Sequence, residues 1–143
     1  MLLLLLLAAC DAKPPAAPPP TKHVHQAPHG GTLVEIGEEF AHVELVLEST
    51  GKVTAYVLDG EVEKPIRLEQ KEIVLRIKGG DVALQAVGSP LTGENPGDTS
   101  QFEGQSEALK GAKGFDAEIV RIVVKGKEST NVSLRLQPRG KQD

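Results

Sequence analysis

The stretch Phe40-Ala41-His42-Val43-Glu44-Leu45-Val46-Leu47-Glu48 decides the fold. Ala41, Val43, Leu45 and Leu47 fall on one side of an extended chain, and His42, Glu44 and Glu48 fall on the other. The period is two rather than 3.6, so this is a strand. Ser49-Thr50-Gly51 follows as a turn, and Val53-Thr54-Ala55-Tyr56-Val57-Leu58 returns as a second strand stopped by Asp59-Gly60. The two form a hairpin.

The same period continues downstream. Pro65-Ile66-Arg67-Leu68 is short and suits a sheet edge, where proline removes no ladder bond. Lys71 to Ile77 alternates through Ile73, Leu75 and Ile77, the chain turns at Lys78-Gly79-Gly80-Asp81, and Val82, Leu84 and Ala86 continue the pattern. Residues 88–101 read as a long loop, and one helical turn is expected around Ser106-Glu107-Ala108-Leu109. Phe115 to Val124 alternates through Phe115, Ala117 and Ile119, then Gly126-Lys127 turns the chain into Asn131–Leu136, and Pro138 ends the ordered part. The expected fold is all-β: a single small antiparallel β-sandwich or barrel of about eight short strands, preceded by a disordered Pro-rich arm. Its core must be mostly Val, Leu and Ile, because the chain has three Phe, one Tyr and no Trp. So few rings argue against a stacking platform for carbohydrate or single-stranded nucleic acid.

Upstream, Met1-Leu2-Leu3-Leu4-Leu5-Leu6-Leu7-Ala8-Ala9-Cys10 is an apolar run that ends at the chain's single cysteine. It resembles the end of a bacterial lipoprotein signal peptide, whose lipobox reads Leu-Ala/Ser-Ala/Gly-Cys. That resemblance implies cleavage before Cys10 and acylation of Cys10, with a periplasm-facing domain held on the membrane by its lipid. Each buried CH₂ of acyl chain contributes about 0.8 kcal/mol to such an anchor. Residues 1–9 carry no Lys or Arg ahead of the apolar run, unlike the usual secretory leader. The run is too short for a transmembrane helix, which needs about 20 apolar residues. Asp11 resembles the inner-membrane retention signal of enterobacterial lipoproteins. A lone cysteine leaves no intramolecular disulfide, so the core alone must hold the domain.

Residues 11–22 are dominated by Pro and Ala and read as a polyproline spacer. The expected organisation is a signal peptide over 1–9, a lipidated cysteine with a Pro/His-rich linker over 10–31, a β domain over 32–138 and a disordered tail over 139–143. The formal charge of −4 argues against nucleic acid and against a polybasic membrane patch.

His23-Val24-His25-Gln26-Ala27-Pro28-His29-Gly30-Gly31 closes the spacer and holds three of the four histidines. Neutral imidazole is the commonest side-chain ligand for Zn, Cu, Ni or Co. Two histidines at i and i+2 in extended chain point to opposite sides, so a bend or a second chain is needed to converge them. Three imidazoles also fall short of the four ligands of a closed structural zinc site. His42 lies on the non-core face of its strand and reads as a surface or cross-strand residue. If it lies near Gly30-Gly31 it completes a site with His29, with Glu44 orienting its ring from behind. Asp59, Glu61 and Glu63 form an acidic turn without the spacing of an EF-hand loop.

From Pro28-His29-Gly30-Gly31-Thr32-Leu33 through the Phe40–Glu48 and Val53–Gly60 strands, the chain resembles the small N-terminal β domain of periplasmic adaptor (membrane-fusion) subunits of heavy-metal efflux pumps. It is closer still to stand-alone bacterial lipoproteins built on that unit, in which a His-rich leader runs into His-Gly-Gly and a Gly-Lys hairpin closes the domain, here Phe115 to Leu136. The resemblance covers about residues 23–137 in pattern. It implies metal handling, with His23, His25, His29 and His42 as ligands and Glu44 behind them. The adaptors continue into a helical hairpin and a lipoyl-like domain, which are not part of this sequence, so a complete pump adaptor is not expected.

Hydrolase, phosphate-loop and metalloprotease signatures do not occur in the sequence, and an acylated Cys10 would offer no nucleophile. The Asn131-Val132-Ser133 sequon falls inside an expected strand and reads as chance. The expected function is therefore non-enzymatic: a membrane-anchored periplasmic lipoprotein binding a divalent transition metal through its His-rich segment, accessory to metal efflux or homeostasis. The rival is a non-catalytic interaction module whose sheet edge or 88–101 loop contacts an efflux-pump or other envelope protein, without metal.

Overall fold

A computed structural model describes residues 24–140. Cys10, His23, the Pro-rich arm and the last three residues lie outside them. Eight strands form one antiparallel sheet: β1 (Thr32–Ile36), β2 (Ala41–Leu47), β3 (Lys52–Asp59), β4 (Glu72–Ile77), β5 (Gly80–Ala86), β6 (Gln101–Gln105), β7 (Phe115–Val124) and β8 (Lys127–Leu136). The spatial order is β1-β2-β3-β6-β5-β4-β7-β8. The sheet curls into a nearly closed barrel, with β1 and β8 meeting at one end. There the Gln137 N–H donates to Thr32 Oγ1 at 3.0 Å, and Pro138 bridges to Leu47. Arg139 N and Gly140 N donate to Leu47 O and Gly30 O, both at 3.0 Å, so the bonded chain runs past Pro138.

The inward positions are the alternating residues of the sequence. Val43, Leu45 and Leu47 of β2, Val53, Ala55 and Val57 of β3, and Ile73 and Leu75 of β4 are all buried in one core. Fully burying such a side chain contributes about 1.5–3 kcal/mol, enough to hold a domain that has no cross-link among its described residues. The expected hairpin is present, with Leu47 opposite Val53 and Glu44 opposite Tyr56.

Three local expectations change. The short segment expected as an edge strand, Pro65–Leu68, makes only single bridges, Leu58 to Pro65 and Leu68 to Thr99. The eighth strand is supplied instead by β6, whose Phe102 is fully buried between β3 and β5. It precedes the expected helical turn, which is a 3₁₀ turn over Glu107–Leu109 capped by Ser106. The β7–β8 loop lies one residue early, at Lys125-Gly126, because Val124 pairs with Lys127. Both loop residues have positive φ, at 47° and 77°, as a two-residue hairpin turn of this twist requires. β7 also changes its inward phase, from Ala117 and Ile119 to Ile122 and Val124, where Asn131 opposite sits at φ 53°.

Candidate functional site

The outer face of β2 is not exposed. All seven residues of β2 are buried, including His42 at 4% exposure and Glu44 at 0%. Their cover is the segment 24–31, which lies across the outside of β2 and β3 before entering β1. A spacer composition in the sequence thus becomes a strap in the structure.

Glu44 holds the strap. Its Oε1 accepts the backbone N–H of His29 at 2.7 Å and of Gly31 at 2.9 Å, and its Oε2 accepts the His29 ring at Nδ1, 2.7 Å away. A buried carboxylate needs such donors, and here three N–H groups of the strap converge on it. The two glycines make the approach possible. Gly30 takes φ 72° in the turn closed by Gly30 N–H to Ala27 O. At Gly31 a Cβ would lie 2.6 Å from Leu45 O, so only glycine lets the strap lie this close to β2.

His29 then stacks on Tyr56, ring centroids 3.9 Å apart and planes 12° from parallel. The two rings meet because Tyr56 is the β3 partner of Glu44. Burial of the Tyr56 hydroxyl, with the nearby Glu103 and Glu44 charges, pushes its pKa above the ordinary 10.0. Glu103 is itself paired to Lys52 at 3.0 Å.

Further along the strap, His25 meets His42 edge to face, with centroids 4.9 Å apart and planes at 63°. His42 Nδ1 lies 3.3 Å from Asp59 O. A carbonyl oxygen only accepts, as does a carboxylate, so the ring nitrogen in contact with each must carry the hydrogen. Nδ1 is therefore the protonated nitrogen in His29 and in His42, and in the neutral rings Nε2 keeps the lone pair. This is how metal-binding imidazoles are held from behind.

The sequence candidates are thus placed as follows. His25 and His42 are together, His29 and Glu44 are together, and Glu44 orients His29 rather than His42. His23 and Cys10 are outside the described residues. The Asp59 carboxylate is used by its own turn: Oδ1 accepts Glu63 N at 2.8 Å and Lys64 N at 3.1 Å. Burial alone would raise its pKa, but these backbone donors, with the Lys64 and Lys125 charges, bring it below the ordinary value. Among the described residues, no group of three or more His, Cys, Asp or Glu side chains is gathered to hold a metal ion. The Nε2 lone pairs fit a transition metal, though as one or two protein donors at a time. Tyr56 was missed by sequence reasoning. The signal for it was the Ser49-Thr50-Gly51 turn, which sets the hairpin register and puts Tyr56 opposite Glu44.

Fold and site together define a small antiparallel β-barrel with a histidine-bearing strap. No family model, no curated protein and no solved structure matches the chain.

Proposed function

We propose that this chain is a lipid-anchored envelope protein that takes Zn²⁺, Cu²⁺, Ni²⁺ or Co²⁺ at its histidine strap and serves metal efflux or homeostasis from the periplasmic face of the membrane. The observation that supports the metal step is the fixing of both His29 and His42 through Nδ1 by oxygen acceptors. Each ring then offers Nε2 as a preoriented donor, and His29 keeps 42% of its side chain open to solvent. A donor set this sparse leaves coordination positions for water or for a receiving protein, which suits capture and hand-over rather than permanent storage. The anchor is the acylated Cys10 expected from the lipobox, and the Pro-rich segment after it sets the barrel off the bilayer.

Calorimetric titration of the full chain in detergent tests the metal step. Each of the four ions is compared between the wild type and a His25/His29/His42→Ala variant. At least tenfold tighter binding by the wild type for one ion is expected, and equal weak binding for all four overturns the proposal. Cys10→Ser tests the anchor separately, by moving the protein out of the membrane fraction.

A further inference from the structure

The two ends of the strap are held by different contacts. At its C-terminal end Glu44 receives His29 and Gly31, and Ala27 is buried beside the sheet. At its N-terminal end Val24 is 99% exposed, and the ring of His25 rests edge to face against His42 of β2. His25 belongs to the strap and His42 to the barrel wall.

We infer that one divalent transition-metal ion is held between His25 and His42 and clamps the outer half of the strap onto β2. This rests on the proposed metal-binding function and gives that function a ligand pair and a structural consequence. His42 is nearly buried, with Nδ1 turned to Asp59 O, so its Nε2 is the nitrogen left for coordination. Imidazole nitrogens bind such ions at about 2.0–2.1 Å, and two rings already in edge contact come into that range by rotation about their side-chain bonds. The neighbouring carboxylates do not compete for the ion: Glu44 serves the strap backbone and His29, and Asp59 caps its turn. Two protein nitrogens leave the remaining positions to water or to an incoming donor.

Because one ligand sits on each element, binding the ion and docking the strap are the same event. Opening of the outer strap then requires loss of the ion, and it is suppressed by the factor 1 + [M]/Kd, about 100-fold when free metal is 100 times Kd. The Glu44 staple is independent of metal and persists without it.

Amide hydrogen exchange on the full chain in detergent, with and without Zn²⁺, tests this. The expected result is a large metal-dependent slowing in a peptide covering residues 24–28, abolished by His25→Ala and by His42→Gln. Protection at 29–31 in metal-free protein should be unchanged by His25→Ala and reduced by Glu44→Gln. His25→Ala lies on the strap, outside the barrel core, and so gives a result even if His42→Gln fails to fold. Zn²⁺ binding by calorimetry without slowing at 24–28, or slowing that survives His25→Ala, overturns the clamp and leaves the metal-binding function standing. Absence of Zn²⁺ binding overturns the clamp, and equally weak binding of all four ions overturns the metal-binding function as well.

Discussion

The buried carboxylate of Glu44 lies 2.7 Å from His29 Nδ1 and accepts the backbone N–H of the same residue, also at 2.7 Å. One side chain on β2 therefore fixes both the backbone and the ring of the residue that opens the domain. Gly31 N–H completes the set at 2.9 Å.

Glu44→Gln replaces one accepting oxygen by an NH₂ donor facing other donors. Leaving buried N–H groups without acceptors costs about 1–3 kcal/mol, and we expect a loss of that size in urea denaturation followed by circular dichroism. His29→Ala keeps the two backbone bonds and should cost less, about 1 kcal/mol. Equal losses for the two variants would mean that the ring, not the backbone, carries the staple.

Tyr56 is the chain's single tyrosine, and there is no tryptophan, so its ionisation can be followed directly by ultraviolet absorbance. Its pKa is raised by burial and by the Glu103 and Glu44 charges. The folded protein therefore holds the phenol proton more tightly than the unfolded chain. That stabilisation is complete below pH 10.0 and is lost as pH rises through the higher folded value. The expected midpoint lies above 10.0 in buffer and returns to it in urea. Glu103→Gln should lower the folded midpoint by removing a facing negative charge. A midpoint of 10.0 in buffer would show Tyr56 to be solvated.

How much of this was legible beforehand follows from where each constraint acts. The Phe40–Glu48 alternation placed β2 and its inward residues correctly, because a strand's faces are a local property of the chain. β6 was hidden: Phe102 is its single large apolar residue, and Gly104 belongs there because a Cβ would lie 2.6 Å from Ala83 O of β5. That reason exists only in the assembled sheet. His42 and Glu44 were assigned to the outer face correctly, yet their burial depends on a strap whose Pro- and His-rich composition reads as linker. The stretch His29-Gly30-Gly31 stood out in the sequence as a motif. Its physical basis, a left-handed turn followed by a close backbone approach, needed the structure.

Gly30 and Gly31 should respond differently to alanine. At Gly30 an added Cβ meets nothing closer than 3.8 Å, so the cost is the left-handed backbone alone, about 1–2 kcal/mol. At Gly31 the Cβ collides with the backbone of Leu45, which cannot move without disturbing the β1–β2 ladder. Overpacking of this kind costs about 1–3 kcal/mol or more, and here it also lifts the strap from Glu44. Gly31→Ala is therefore expected to accelerate amide exchange at 24–31, while Gly30→Ala lowers stability with the strap still docked. Identical exchange in the two variants would mean that the close approach at Gly31 does not position the strap.

Acid stability should depend on a second, partly buried carboxylate, outside the strap. Glu94 has 10% of its side chain exposed and braces the 88–100 loop, taking hydrogen bonds from Ser100 N and Oγ and from Thr92 Oγ1, with Arg67 at 3.9 Å. Burial alone would raise its pKa, but these donors and the Arg67 charge outweigh it and hold the carboxyl below the ordinary 4.5. A carboxylate whose folded pKa is depressed contributes stability above the unfolded value and loses it as pH falls through the folded one. The barrel should therefore keep this contribution at neutral pH and shed it progressively below pH 4.5. Glu94→Gln removes the titrating group, so the variant should be less stable than wild type at pH 7, and the gap should narrow on acidification. Urea midpoints for both proteins from pH 7 to pH 3 measure the gap directly. A gap that stays constant across that range would show that the Glu94 charge is not what braces the loop, and that Ser100 and Thr92 are held equally well by a neutral amide.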